Sequence, residues 1–219
     1  MTINWFGQGC IRLKGKDVTV VIDPLGEGFG LAVPKLKAEI VCVTHDHRDH
    51  NNVAAVAGEP LVIRTPGEYN VKDVYIQGIP AFHDAKNGAE RGPVVMYTLT
   101  LDGLNIAHLG DLGQPTLTDY QLEALGTVDI LILPVGGVYT ADAKVASAIV
   151  SQLEPKVVIP VHYDVEGLKI DGKDGVLQPV GPFLKEFGSK AEPQDDFKVT
   201  HGGLLSDQII IQVLKPAQS

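Results

Sequence analysis

Six consecutive residues, His45-Asp46-His47-Arg48-Asp49-His50, hold three of the seven histidines in the chain. Neutral imidazoles and carboxylates are donors that suit zinc, manganese or iron. His45 and His47 lie two apart, straight after the apolar run Glu39–Thr44. On an extended strand they would share a face; in a loop they can converge on one ion. Burying such groups unpaired is costly, and a divalent cation stabilises them together. The competing reading is a solvated charged loop.

One short run cannot complete two coordination shells, so distant ligands are required. His83 follows Val74–Ile79 and Pro80-Ala81-Phe82. Asp111 sits in His108-Leu109-Gly110-Asp111-Leu112-Gly113, where glycines let backbone approach closely. Standing alone, it would read as a turn carboxylate. His162 ends the apolar run Val157–Val161. Three apolar runs thus end directly in ligand-type residues, as in sheets that bind ligands at the carboxyl ends of their strands.

The elements that must position these groups are mostly strands. Asp17–Ile22, Glu39–Thr44, Leu61–Ile63, Val74–Ile79, Val94–Leu101, Asn105–Leu109, Ile130–Leu133, Val157–Val161 and Ile209–Leu214 carry the pattern. Asp102-Gly103 predicts a tight hairpin. Thr118 and Gln121 form a capping box, with Gly126 closing that helix. Val145, Ala148, Ile149 and Leu153 predict one face of a helix over Asp142–Leu153. Further helices are expected over Pro182–Phe187 and, briefly, Asn52–Ala57. Glu166–Gly175, rich in glycine and charge, reads as a surface loop.

Length and composition fit one globular domain spanning 1–219, with 44% hydrophobic and 21% charged residues. The net charge of -9 disfavours binding to nucleic acid, leaving a small molecule as the expected partner. Cys10 and Cys42 read as small buried hydrophobes rather than a disulfide. No signal peptide is visible, and no run approaches the roughly 18 apolar residues of a membrane span. A cytoplasmic location follows by default; homo-oligomerisation stays open.

The His45-x-His47-x-Asp49-His50 run resembles the signature of the metallo-β-lactamase superfamily. Asp23 matches its first motif, and His83, Asp111 and His162 its later ones in order. Arg91-Gly92-Pro93, His108–Gly113, Pro134–Thr140 and Ile159–Tyr163 resemble motifs of small bacterial zinc-dependent hydrolases akin to the ascorbate-6-phosphate lactonase-like branch. The resemblance spans about Asn4 to Asp164. It implies an αββα sandwich of two mixed sheets flanked by helices. His45, His47 and His83 would hold one metal, Asp49, His50 and His162 another, and Asp111 would bridge. Two zinc ions are implied, with manganese or iron as alternatives, and a hydroxide between them would be the nucleophile. The chain departs from the group at Gly7-Gln8-Gly9-Cys10, often Gly-His-Ser-Cys, and at Gln114, often His. Neither position is a ligand in the family pattern.

The expected reaction is hydrolysis of a small ester, lactone or phosphoester. Asp49 is a candidate to take a proton or orient the nucleophile. Arg91 and Lys86 could meet a substrate anion. Tyr139 and Tyr163 could hydrogen-bond a developing oxyanion or simply pack. His108 and Asp23 are read as supports behind the ligands. Rival readings are a nuclease or phosphodiesterase of the same fold, a flavodiiron-type or glyoxalase-II-type protein, and a non-catalytic metal-binding module. The chain is short and acidic for the first, His47 and the chain length oppose the second, and little sequence remains for the helical domain expected of the third.

Overall fold

A computed structural model describes residues 1–204 and 208–217. From the N-terminus come β1 (Thr2–Trp5), β2 (Ile11–Lys14), β3 (Thr19–Ile22), β4 (Leu36–Lys37), β5 (Ile40–Cys42), β6 (Val56–Ala57) and β7 (Leu61–Ile63). Next are β8 (Gly67–Val71), β9 (Val74–Phe82), β10 (Pro93–Leu101), β11 (Leu104–His108), α1 (Asp119–Leu125), β12 (Ile130–Pro134) and α2 (Ala143–Leu153). The last elements are β13 (Val157–Val161), α3 (Gly181–Glu186), β14 (Phe197–Lys198) and β15 (Ile210–Ile211).

Two mixed sheets make the body, ordered β14-β1-β2-β3-β5-β7 and β15-β13-β12-β11-β10-β9-β8, with β4 and β6 as a separate pair. Strands β3, β5 and β7 run parallel. So do β11, β12, β13 and β15. Every residue of β12 and β13 is buried, as parallel strands covered on both faces require. Trp5, Ile22 and Ile40 from one sheet share an apolar cluster with Ile79, Met96 and Ile106 from the other. This is the metallo-β-lactamase sandwich expected from sequence.

Local chemistry sets the element ends. Asp102 and Gly103 both have positive φ, 52° and 77°, the geometry of a two-residue hairpin turn between β10 and β11. Thr118 accepts from Gln121 N–H, and Gln121 reciprocates to Thr118 N–H, as the capping box predicts. Asp142 caps α2 by accepting from Lys144 and Val145 N–H, a cap worth about 1 kcal/mol.

Three expectations are corrected. Asn52–Ala57 is not a helix: one 3-10 turn, Val53–Ala55, leads into β6. The run is too short to offset helix nucleation, and Val56 pairs with Leu36 instead. Helix α2 is rotated, burying Ala143, Ala146, Ile149 and Val150 and leaving Ala148 exposed; the small Ala146 suits close approach to β12. Of Ile209–Leu214 only Ile210 and Ile211 form a strand, a short edge that offers little to pair with. Helices flank the sheets as expected. Helices α1 and α2 contact β9 and β12, and α3 packs on α2. A second apolar cluster, including Phe6, Val21, Leu25, Leu36, Val41 and Val56, covers the six-stranded sheet with loop and short strand.

Candidate metal centre

Strand direction assembles the site. Strands β1, β3 and β5 point the same way. Their carboxyl ends release Gln8, Asp23 and the His45–His50 loop. Strands β9, β11 and β13 also share a direction, and their ends release His83, Asp111 and His162.

Asp111 is the meeting point. Its Oδ2 lies 3.1 Å from His162 Nε2, 3.4 Å from His83 Nε2 and 3.7 Å from His45 Nε2. Its Oδ1 lies 3.4 Å from His50 Nε2. His45 Nε2 and His47 Nδ1 are 2.9 Å apart. Asp49 Oδ2 stands 3.3 Å from His50 Nε2 and 4.0 Å from His162 Nε2. Two donor groups result, His45-His47-His83-Asp111 and Asp49-His50-His162, each with its ligand atoms within 4.8 Å of one another. A third, Asp23-His45-His50, has the same compactness. Its Asp23 oxygens, however, are already occupied by protein donors.

Those donors explain how the imidazoles are aimed. Asp23 Oδ1 accepts from Thr44 N–H at 2.7 Å, and Oδ2 accepts from Thr44 Oγ1 at 2.7 Å. Asp23 Oδ2 also takes the Nδ1 proton of His50 at 2.9 Å, turning Nε2 toward Asp111. Since the Thr44 hydroxyl gives its proton to Asp23, it accepts from His45 Nδ1 at 2.9 Å. One buried carboxylate therefore fixes the tautomer of two imidazoles. Gly9 makes room for this arrangement: a Cβ there would stand 2.8 Å from the His50 ring.

The charges confirm what the pocket favours. Burial pushes His45 down to about 3, helped by the nearby His50. His50 goes the other way: burial opposes its charge, yet Asp111, Asp49 and Asp23 hold it well above its ordinary range. Asp111 is held well below the carboxylate range, with His162 and His50 outweighing burial. The field thus favours positive charge beside His50 Nε2. Among the described residues, His50 Nε2 and Asp111 Oδ1 are both buried without a hydrogen-bond partner. A bound cation satisfies that acceptor pair, so the donor set fits a divalent metal.

These groups open into a cleft of about 730 Å³ lined by His47, Asp49, His83, Asp111 and His162. Residues 2–162 match the model of the β-lactamase superfamily domain. A UPF0173 metal-dependent hydrolase of Methanoculleus marisnigri is 31% identical over 75% of this chain and 81% of its own. The chain belongs to the metallo-β-lactamase superfamily. A metal-dependent hydrolase of Pyrococcus abyssi is 28% identical, covering 74% of this chain and 84% of its own. A Thermotoga maritima protein assigned to the zinc-dependent hydrolases of the superfamily superposes with a TM-score of 0.77. It is 31% identical, and the match covers 98% of both chains. The protein is a metal-dependent hydrolase of this superfamily.

Within this metallo-β-lactamase superfamily member, Arg91 and Tyr139 line the cleft, with the guanidinium 5.1 Å over the ring. Tyr163 does not. It is 4% exposed, lies 4.8 Å from Trp5 and donates its hydroxyl to Leu214 O, because β13 turns it into the core. Lys86 is spent on Glu90 at 2.6 Å rather than aimed at the cleft. His108 is a support: its Nε2–H donates to Gly9 O at 2.9 Å, and its Nδ1 accepts from Gly110 N–H at 3.0 Å. Gln114 is structural too, accepting from Phe82 N–H and donating to Gln121.

The two departures from the family pattern therefore differ in kind. Gln8 is 1% exposed, donates from Nε2 to Asp49 Oδ2 at 2.8 Å and lies 3.3 Å from His162 Nε2. Its place after a strand end, like the candidate ligands, was the signal for it. Ile170 and Asp171 of the Glu166–Gly175 loop also line the cleft, since Lys169 N–H binds Phe29 O at 2.8 Å. No local pattern foretold that.

Proposed function

We propose that this hydrolase uses two divalent ions to cleave a small ester, lactone or phosphoester. His45, His47 and His83 would hold one ion, Asp49, His50 and His162 the other, with Asp111 shared. The gathering of the other six side chains around Asp111, at the floor of one cleft, carries the reading. Imidazole-rich donors support zinc, and manganese or iron satisfy the same set. Such ions would supply Lewis acidity and make hydroxide available near neutral pH.

The chain's own residues supply orientation. Asp49 is held well below the carboxylate range, where His50 and His162 outweigh burial. Its place beside His50 and His162 suits it to direct the attacking water. Gln8 fixes Asp49 from behind through the 2.8 Å bond. Tyr139 stands on the cleft wall as a hydrogen-bond donor for a developing oxyanion. The net charge of -9 supports a small substrate over a nucleic acid. Among the described residues, no helix is long and apolar enough to cross a membrane.

The test is elemental analysis of the purified protein, followed by a screen of chromogenic esters, lactones and phosphodiesters with zinc, manganese and iron. Turnover that disappears on chelation and returns with metal is expected. Absence of turnover on every class by fully loaded protein would favour a non-catalytic metal-binding role.

A further inference from the structure

Two arginines reach the cleft, and among the described residues neither is hydrogen-bonded to a carboxylate. Arg91 lies over Tyr139, and Arg48 lies 5.9 Å over Phe29; all four residues line the cleft. A ring beneath a guanidinium holds its face and leaves the N–H edge free to grip an anion. The carboxylate beside Arg91 is Glu90, whose Oε2 stands at 3.9 Å, beyond hydrogen-bond reach. The other oxygen of Glu90 is taken by Lys86.

Asp84 explains how Arg91 is presented. This buried carboxylate accepts Lys86 N–H at 2.7 Å and Gly88 N–H at 2.9 Å on Oδ1. It accepts Glu90 N–H at 3.0 Å and Arg91 N–H at 2.8 Å on Oδ2. His83 N–H closes the neck of the loop on Gly92 O at 3.0 Å. One side chain thus shapes a loop that starts at a candidate metal ligand and ends at Arg91. A donor fixed this way loses little entropy on binding.

Acids on the same rim are partly answered. Asp46 accepts from Asn51 at 2.6 Å and lies 4.0 Å from Arg64. Asp171 is exposed and makes no ion pair among the described residues. It opposes an anion.

We infer that the cleft selects substrates carrying an anionic group, carboxylate or phosphate, away from the bond to be cleaved, with Arg91 and Arg48 as its receptors and Asp84 as the residue that positions Arg91. The inference rests on the hydrolase reading above and adds the substrate class to it.

The experiment compares three 4-nitrophenyl esters of similar length on metal-loaded protein: one neutral, one with a distal carboxylate, one with a distal phosphate. Each anionic member should exceed the neutral one in kcat/KM by about tenfold or more, the scale of one charge-assisted hydrogen bond. The larger ratio identifies the anion. Arg91→Met should bring the ratio toward one through KM, and Asp171→Asn should raise it. Asp84→Asn keeps shape but cannot accept all four N–H bonds, so it should follow Arg91→Met while retaining metal. Equal turnover of all three esters, or a ratio untouched by Arg91→Met, overturns the inference while leaving the hydrolase reading intact. Loss of metal without loss of anion preference in Asp84→Asn would show that Asp84 serves His83 instead. If no ester turns over, titration calorimetry of glutarate and inorganic phosphate with metal-free protein decides. Binding weakened by Arg91→Met supports anion recognition, and no binding overturns it.

Discussion

Asp23 Oδ2 holds the Nδ1 proton of His50 at 2.9 Å, and neither side chain has exposed surface. The pair sets which nitrogen of His50 faces Asp111. Asp23→Asn should therefore lower metal affinity by about 10–100-fold, the range for residues that orient metal ligands. Competition with a calibrated chelator measures this. Unchanged affinity would mean that His50 is aimed without Asp23.

Asp111 is the carboxylate shared by four imidazoles. Asp111→Ala should reduce kcat by more than about a hundredfold, the upper end for residues one step further from a metal. Metal content per chain, read by mass spectrometry, should fall with it. Full metal content with normal turnover would refute the shared role.

His108 ties the Gly7–Cys10 turn to the Asp111 turn through Gly9 O and Gly110 N. His108→Ala leaves both backbone groups buried and unpaired and opens a cavity. The cost should be about 2–4 kcal/mol. Chemical denaturation of the metal-free protein gives the number free of metal linkage. A loss well under that range would show that water replaces the ring.

Acid stability has a local contributor in Asp129. It accepts Asn105 N–H at 2.9 Å and Lys156 Nζ at 2.8 Å, which outweigh burial and lower its pKa. Its folded value lies below the unfolded one of about 3.9. The stabilisation is thus present above about pH 4 and fades as pH falls through the folded value. Denaturation curves from pH 6 to pH 2 should fall less steeply for Asp129→Asn than for the parent.

Cys10 and Cys42 are both free and buried. Burial pushes Cys10 up to about 12 and Cys42 higher still. At pH 8 the folded protein should leave a thiol-specific dye unreacted, and both thiols should react in denaturant. Fast labelling of the native state would contradict their burial.

The candidate ligand set could be assembled from the sequence because its members follow apolar runs, and strand ends are readable from periodicity. His83 and His162 could be placed beside His45 only through the sheet order, which the family resemblance supplied. Gln8 stood in plain view as a departure, but its bond to Asp49 depends on β1 lying beside β2 and β3. Tyr163 was ambiguous because an aromatic after a strand can face either way, and Leu214, far along the chain, decides it. The shape around Asp84 was invisible, since four backbone amides converging on one carboxylate leave no residue-type pattern.

The segment around Ile170 and Asp171 lies beyond residue 162, where the family match ends, yet it forms one wall of the cleft. The lining is therefore drawn from both sides of that boundary, Arg48, Arg91 and Tyr139 from within it and Ile170 and Asp171 from beyond it. A graft of residues 166–175 from a relative would exchange that wall while leaving both arginines in place, and would isolate what the wall alone adds to substrate preference.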